Sequence, residues 1–296
     1  MIIQAMSQTA SSSSLALSER FVGVAPLPHL GVIRAQGEDA ANFLHNQLTN
    51  DVLLLKEHQC RLAAYCNAKG RMQASFVVFK RSAQEILLIG RQDLLAQTVK
   101  RLSMFVLRAK VKLTDAWQRH TVNGADVLTL YPALDQMRAL WIAPKDVPLP
   151  QGPALSAELW QVGEVMSGIA WVEHATFEAF VPQMLNYESV DGVNFKKGCY
   201  PGQEVVARSQ FRGTLKRRAY IAQCEQALQA GQEVFSHRDA SQPCGLVAQA
   251  ASDGAMHVAV VELQVSAIEG ASLHVASTEG AQLQLLELPY PLRDDI

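Results

Sequence analysis

The chain has 296 residues, of which 49% are hydrophobic and 18% charged, and its formal net charge is −2 at pH 7. This composition is typical of a globular protein long enough for two or three domains, and the acidic total argues against strong nonspecific binding of nucleic acid. No apolar run approaches the roughly 20 residues that span a bilayer, so no membrane partner is expected. The five cysteines include no C-x-x-C pair, which argues against a disulfide framework and a zinc site and favours the cytoplasm.

The first 20 residues contain a run of four serines and lack the basic residues of a secretory signal or a mitochondrial presequence. We therefore expect residues 1–20 to form a flexible tail.

Residues 21–112 are predicted to form an α+β domain, because helical and strand patterns alternate there. Residues 31–36 indicate a strand, and Gly37-Glu38-Asp39 opens an amphipathic helix that is predicted to end at Thr49-Asn50-Asp51. His45 is predicted to face solvent on this helix. The turn Asn67-Ala68-Lys69-Gly70 joins two apolar runs and predicts a β-hairpin with Lys69 and Arg71 at its tip. A strand over 85–90 and a helix over 94–105 complete this part.

Residues 113–184 are predicted as a middle α/β domain, in which prolines 144, 148, 150 and 153 interrupt regular structure. After Gly213 the pattern changes to short alternating runs separated by Gly, Asp or Ser. These runs predict a small antiparallel β-barrel over 213–296, with strands at about 217–224, 244–250, 256–264, 272–276 and 282–288.

Positive charge is concentrated in two segments. Residues 56–112 carry twelve Lys and Arg against three acids, and residues 191–218 carry seven against two, whereas residues 219–296 hold two against ten. If the two basic segments share a face, they attract anions such as a polyglutamylated folate, a tRNA backbone or an acidic partner. The alternative is an ordinary solvated face.

The most informative stretch is Phe195-Lys196-Lys197-Gly198-Cys199-Tyr200-Pro201-Gly202-Gln203-Glu204. The glycines and the proline favour a tight turn, and Val205-Val206-Ala207-Arg208 can start a helix after it. Cys199 is therefore expected near backbone N–H groups and lysine charge, and both influences favour the thiolate form of a cysteine. The alternative is a small residue that fills a turn.

The string from Lys197 to Glu204 resembles the signature of the YgfZ family, folate-binding proteins linked to tRNA modification and iron–sulfur protein maturation. Further similar blocks occur in the same order along nearly the whole chain: Gln47-Leu48-Thr49-Asn50-Asp51-Val52, Ala63-Ala64-Tyr65-Cys66-Asn67-Ala68-Lys69-Gly70-Arg71-Met72, Phe211-Arg212-Gly213 and Leu288-Pro289-Tyr290. The resemblance implies a multi-domain α+β fold like that of the aminomethyltransferase of the glycine cleavage system. In that fold, residues 185–212 are expected to complete the folate-binding domain.

The resemblance also implies a folate or tetrahydrofolate site beside the cysteine turn. Asp51 is the candidate for pairing with the pterin, and Trp160 matches one of two family tryptophans, while Leu30 stands at the position of the other. Basic side chains would attract the glutamate tail of the folate, and the candidates are Lys69, Arg71 and Arg208. The thiol of Cys199 is expected to act together with the motif residues Lys197, Tyr200, Gln203 and Glu204.

The chain departs from the related aminomethyltransferases at their Glu-x-Gly pattern, where it has Met166-Ser167-Gly168. Glu164 lies two residues earlier and would face the same side of a strand. This departure removes a pterin-reading carboxylate at residue 166.

The favoured function is a folate-dependent accessory factor for iron–sulfur proteins, including those that modify tRNA, with Cys199 as a thiolate for redox, sulfur or metal chemistry. A tetrahydrofolate-dependent one-carbon transferase is the main alternative. Two others are a noncatalytic tRNA-binding module with weak, salt-dependent affinity and a thiol hydrolase with His174, His237 or His257 as base.

Overall fold

The structure is a computed structural model that describes residues 20–116, 120–129, 139–144, 147–148, 150–211, 215–270 and 272–293. The predicted N-terminal tail, except for Arg20, lies outside these residues, as do Arg212 and Gly213 of one sequence block.

A five-stranded sheet with the order β2-β3-β4-β1-β5 forms the N-terminal part. Each neighbouring pair is antiparallel, which confirms the mixed helix and sheet character predicted from the sequence. The strands are β1 (Leu30–Gln36), β2 (Cys60–Cys66), β3 (Met72–Ser82), β4 (Glu85–Arg91) and β5 (Lys112–Asp115). The helices are α1 (Ala40–His45) and α2 (Gln92–Ser103).

Both faces of this sheet are buried. Successive side chains of a strand point to opposite faces, so each strand contributes to both. On β1, Ile33 and Ala35 pack into a core with residues of α1 and α2, whereas Leu30 and Val32 pack into a second core with Trp160, Trp171 and Tyr290. The sheet therefore lies between its own helices and the rest of the protein.

Helix α1 is shorter than predicted and ends at His45, with Asn46 as a right-handed C-cap. The expectation that His45 faces solvent is wrong, because the residue is only 6% exposed. Asp51 and the turn that contains Lys197 and Gly198 lie against it, as described below.

The middle part contains the hairpin of β6 (His120–Thr129) and β7 (Ala139–Pro144), followed by helix α3 (Ala157–Met166). The Ser156 hydroxyl accepts a hydrogen bond from the Leu159 amide and so caps the start of α3. The assignment of Glu164 to a strand is wrong, because it lies on α3. Residues two apart on a helix do not share a face, so Glu164 is not a substitute for a carboxylate at Met166.

Two 3-10 turns, His174–Thr176 and Pro182–Leu185, lead to helix α4 (Gln203–Phe211). The C-terminal part then closes into a six-stranded antiparallel barrel with the order β10-β11-β8-β13-β12-β9, which confirms the predicted barrel. Its strands are β8 (Arg217–Cys224), β9 (Glu233–Ser236), β10 (Gly245–Ser252), β11 (His257–Gln264), β12 (Leu273–Val275) and β13 (Gln282–Leu286). The sequence patterns missed β9, which has only four residues.

The block Leu288-Pro289-Tyr290 brings the chain back from the barrel to the middle part. The Tyr290 hydroxyl donates a hydrogen bond of 2.8 Å to the Gly168 carbonyl, directly after α3. It also accepts from the Asn186 amide at 3.4 Å. These contacts place Tyr290 of the last sequence block in the core.

Candidate functional site

The cysteine turn, residues 197–202, carries Cys199 as an exposed free thiol. Helix α4 begins at Gln203, four residues after the cysteine and two residues earlier than the sequence suggested. Gly202 has a φ of +81°, the left-handed region in which glycine is favoured. The predicted tight turn followed by a helix is therefore present.

Gly202 also allows two sequence blocks to meet. A side-chain carbon added there would lie 2.4 Å from the Asn67 carbonyl oxygen and 2.6 Å from the Gly70 Cα. Gly70, with a φ of +71°, approaches the Val205 side chain of α4 in the same way. The β2–β3 hairpin thus supports the cysteine turn through backbone contacts that only glycine permits.

Lys197 fixes the turn from the other side. Its side chain is buried, and its ammonium donates to three carbonyl oxygens, those of His45 at 2.6 Å, Leu48 at 3.1 Å and Gly198 at 3.2 Å. A lysine has three N–H donors, so these bonds use all of them. Lys197 therefore acts as a strut between the turn and the end of α1, and it influences Cys199 through its charge.

An aromatic ring also packs against this ammonium. The Lys197 nitrogen lies 4.6 Å from the centre of the buried Tyr200 ring, a cation–π distance. Burial lowers the pKa of Lys197 to about 8, while the charges of Asp51 and Cys199 oppose this shift. Tyr200, predicted as a site residue, thus packs its ring against the Lys197 ammonium. Burial raises the pKa of the Tyr200 hydroxyl.

His45 is a neighbour of the turn that the sequence analysis missed as a site residue. Its Nδ1 lies 3.4 Å from Asp51 Oδ1, and a side-chain carbon on Gly198 would lie 3.5 Å from its Nε2. Burial and the charge of Lys197 lower the pKa of His45. No pattern in the sequence marked this residue, because its burial depends on a segment about 150 residues away.

Asp51 combines this contact with a local turn role. Its Oδ1 accepts a hydrogen bond of 2.8 Å from the Leu54 amide, as expected of a turn aspartate. The structure brings Asp51, His45 and Lys197 together, and Lys197 and Cys199 are coupled through their charges.

The histidines considered as bases for a thiol hydrolase lie in other elements. His237 Nδ1 accepts from the Ser272 amide at 3.0 Å, and His257 Nδ1 lies 2.7 Å from the Ser252 hydroxyl, both in the barrel. His174 is exposed in a 3-10 turn.

The other predicted site residues make separate contacts. Lys69 is exposed at the hairpin tip, whereas the Arg71 guanidinium donates to the Ala179 carbonyl. Arg208 and Glu204 form an exposed ion pair of 2.8 Å one turn apart on α4. The backbone amide of Gln203 donates to the Tyr200 carbonyl at 3.2 Å and joins the turn to the helix.

Leu30 and Trp160 lie together, but in the core between the sheet and α3 rather than at the cysteine turn. Leu30 is 0% exposed and Trp160 is 4% exposed. The Trp160 indole donates to Glu164 Oε1 at 3.0 Å, and His29 Nε2 lies 3.0 Å from Glu164 Oε2. A buried glutamate, an imidazole and an indole therefore form a polar centre inside this core.

This polar centre fits a pterin in its chemistry. His29 Nδ1, Trp171 Nε1 and Arg91 Nε are buried without a hydrogen-bond partner, which is costly unless another group satisfies them. Glu173 lies 3.4 Å from Arg91, and burial raises the pKa of Glu173. Carboxylates and ring N–H groups of this kind match the amide and amidine edges of a pterin.

A cavity of about 750 Å³ opens beside the cysteine turn. Its lining includes Asn50, Arg61, Asn194, Phe195, Lys196, Gln210, Phe211 and Arg293. The described lining includes Lys196, just before the turn, and Gln210, after it, but no residue of the turn itself. The cavity therefore flanks the turn and does not enclose Cys199. No sequence pattern marked these residues as one site.

Within the described part of the chain, no helix combines the length and apolar character that a membrane crossing requires.

Comparison with known proteins gives relatives along most of the chain, although no protein-family model matches it. It is 31% identical over 241 residues to an uncharacterized protein of Haemophilus influenzae, a match that covers 78% of this chain and 85% of the relative. It is 28% identical over 302 residues to the tRNA-modifying protein YgfZ of Photobacterium profundum, covering 89% and 90% of the two chains. The corresponding protein of Photorhabdus laumondii is 26% identical over 322 residues, with 96% of both chains covered.

The fold is similar to that of the glycine cleavage system aminomethyltransferase T from Bartonella henselae. The TM-score is 0.67 at 12% sequence identity, and the match covers 94% of this chain and 88% of the other. This similarity confirms the aminomethyltransferase-like fold. From the relatives along its length, the chain belongs to the YgfZ family.

Proposed function

We propose that this protein is a folate-binding accessory factor of the cytoplasm that supports maturation or repair of iron–sulfur proteins, including those that modify tRNA. In this proposal Cys199 is the functional thiol. The observation that carries it is the exposed cysteine on a turn fixed by a buried lysine, in a chain of the YgfZ family.

The construction of the turn supports a role for Cys199 in chemistry. A free cysteine is among the most buried residue types, and the protein holds Cys66, Cys224 and Cys244 in that way. Cys199, in contrast, is exposed. Its turn requires glycine at residue 202, and the charge of Lys197 lies beside it. Positive charge near a thiol favours the thiolate, which is the nucleophile and the metal ligand.

The polar centre in the core supports folate binding. Glu164, His29 and Trp160 would hold the pterin ring. Bound folate would supply one-carbon or redox chemistry, and the residues of this chain would position it and exclude water. Asp51 and Leu30 remain proposed contacts, and Lys69, Arg71 and Arg208 remain proposed attractors of the glutamate tail.

Complementation of a bacterial strain that lacks its own family member tests the thiol. We expect Cys199→Ala to abolish complementation while the far-ultraviolet circular dichroism and the unfolding midpoint stay unchanged. Cys224→Ala is the matched control, since Cys224 is a free thiol on β8 of the barrel, and it should complement fully. Full complementation by folded Cys199→Ala would remove the thiol from the function.

Titration with tetrahydrofolate tests the pocket. We expect binding to the wild-type protein and weaker binding to Trp160→Ala, Glu164→Gln and Asp51→Ala. Undiminished affinity in all three variants would place the folate site elsewhere.

A one-carbon transferase is the second candidate, and the similarity to aminomethyltransferase T favours it. It predicts turnover of an aminomethyl donor with tetrahydrofolate that survives Cys199→Ala, whereas the favoured function predicts no such turnover.

A further inference from the structure

The 750 Å³ cavity lies where the chain enters and leaves the cysteine turn. Phe195 and Lys196 precede the turn, and Gln210 and Phe211 end α4 after it. The rings of Phe195 and Phe211 meet edge to face with centres 5.4 Å apart. The chain thus leaves the cavity, makes the turn and returns to the cavity along one short helix.

The lining of this cavity is positively charged. Arg61, Lys196 and Arg293 are its basic lining residues, and Asp191 is the acid among the lining residues described. The Arg61 guanidinium donates to the Asp51 carbonyl at 3.2 Å and is held at the cavity wall. Three cations against one carboxylate attract an anionic ligand.

The cavity also offers a flat apolar face and a buried acceptor. Phe211 is 63% exposed, although large aromatic side chains are usually buried. Gln210 is only 2% exposed, and its Oε1 has no hydrogen-bond partner. A carboxamide oxygen buried in this way is costly unless a ligand donates to it.

A nucleotide matches these three features together. Its phosphate would pair with the basic side chains, its base would stack on Phe211, and a base amino group could donate to Gln210 Oε1. Basic grooves with exposed aromatic rings are the general means of holding single-stranded nucleic acid. The lining amides of Asn50 and Asn194 add further polar groups at the wall.

Helix α4 runs from the end of the cysteine turn to Phe211 at the cavity. Helix α4 has nine residues and is about 13 Å long at 1.5 Å per residue. A strand that stacks one base on Phe211 would therefore reach the cysteine turn with a neighbouring part of its backbone.

We propose that this cavity binds a segment of single-stranded RNA, with one base stacked on Phe211 and its phosphates on Arg61, Lys196 and Arg293. This inference rests on the proposed function, because it gives the RNA of a tRNA-modifying system a binding place beside Cys199. It extends that function, since the folate is assigned to the core near Trp160.

Fluorescence anisotropy with a labelled single-stranded oligoribonucleotide tests this site. We expect Phe211→Ala to weaken binding by about 5-fold to 150-fold, the range for loss of one base–aromatic stack. Phe105→Ala is the matched control, since Phe105 is 48% exposed and follows α2 on another part of the protein, and it should bind like the wild type.

Salt dependence gives a second readout that a merely structural residue would not change. We expect Lys196→Ala to reduce the slope of log affinity against log salt by about 0.7, the value for one phosphate contact on a single strand. Lys112→Ala, at an exposed lysine on β5, should leave the slope unchanged.

Equal RNA affinity for Phe211→Ala and Phe105→Ala would overturn the inference. Displacement of the RNA by tetrahydrofolate pentaglutamate but not by the monoglutamate would also overturn it, because the cavity would then hold the glutamate tail. Either result leaves the proposed function standing if tetrahydrofolate still binds and Cys199 is still required in complementation. Loss of those two properties with intact RNA binding would overturn the proposed function instead.

Discussion

Cys66 and Cys199 lie in two segments that touch each other, yet their surroundings are opposite. Cys66 ends β2, is 1% exposed, and burial strongly raises its pKa. Cys199 lies on the exposed turn that packs against the hairpin after Cys66, with the ammonium of Lys197 coupled to it. The two segments are neighbours, so their proximity does not decide whether a thiol is exposed. What differs is the backbone conformation that holds each cysteine.

The support consists of two glycines and one lysine. Gly70 and Gly202 let the hairpin and the turn approach as bare backbone, and Lys197 connects the turn to the end of α1. Changes at these residues should disturb the cysteine turn while they leave the buried Cys66 in place.

Gly202→Ala should have the largest effect. Its added methyl group would lie 2.4 Å from the Asn67 carbonyl oxygen, and the φ of +81° adds backbone strain. We expect a loss of about 3 kcal/mol or more in the free energy of unfolding, measured by chemical denaturation.

Gly254→Ala separates the two causes. Gly254 has a φ of +87° with nothing within 4 Å of an added carbon, so it should lose only about 1 kcal/mol from strain. Equal losses at the two glycines would mean that the close approach of turn and hairpin contributes nothing.

Lys197→Met should have the next largest effect. It keeps the apolar stem and removes the donor to three carbonyl oxygens, so we expect the free energy of unfolding to fall by about 2 kcal/mol. Lys196→Met, at the exposed neighbour, should change it by about 0.5 kcal/mol or less. A stable Lys197→Met protein would show that the strut is dispensable.

The pH dependence of stability should identify the lysine itself. The pKa of Lys197 is lowered by burial from an ordinary 10.5 to about 8 in the folded protein. Between these values the unfolded chain binds a proton that the native protein does not, so native stability rises with pH. From pH 7 to pH 9 we expect the stability of the wild type to increase by about 1 kcal/mol relative to Lys197→Met. A constant difference would contradict the lowered pKa.

Arg208→Ala should have the smallest effect. Its partner Glu204 is 85% exposed, and exposed pairs of this kind contribute little because solvent screens them. We expect a change of about 0.5 kcal/mol or less in the free energy of unfolding. A larger loss would indicate that α4 needs this pair to support the turn.

Local pattern predicted much of the fold. The alternation in β8 and in the hairpin of β2 and β3 follows directly from side chains that point to opposite faces, and glycines at 70 and 202 marked the turns. Strand β9 has four residues and was missed, whereas β12, with three residues, fell within a predicted run. The end of α1 was placed too late because Leu48 continues the apolar pattern beyond the helix.

The site was less accessible to sequence reasoning because it depends on contacts between distant segments. Cys199 and Lys197 stood out because they lie in a basic, glycine-containing motif. The burial of His45, however, comes from the turn that packs over it. Glu164 was assigned to the wrong element, which hid its pairing with Trp160 and His29. The cavity at Phe211 combines residues 50 to 293 and left no local signal.

The central proposal is that the turn presents Cys199 as a reactive thiol, and alkylation kinetics resolved by mass spectrometry test it most directly. At pH 7 we expect iodoacetamide to modify Cys199 about tenfold faster than free cysteine, to lose this advantage in Lys197→Met, and to leave Cys66 unmodified in the native protein. A Cys199 rate equal to that of free cysteine, unchanged in Lys197→Met, would contradict the claim.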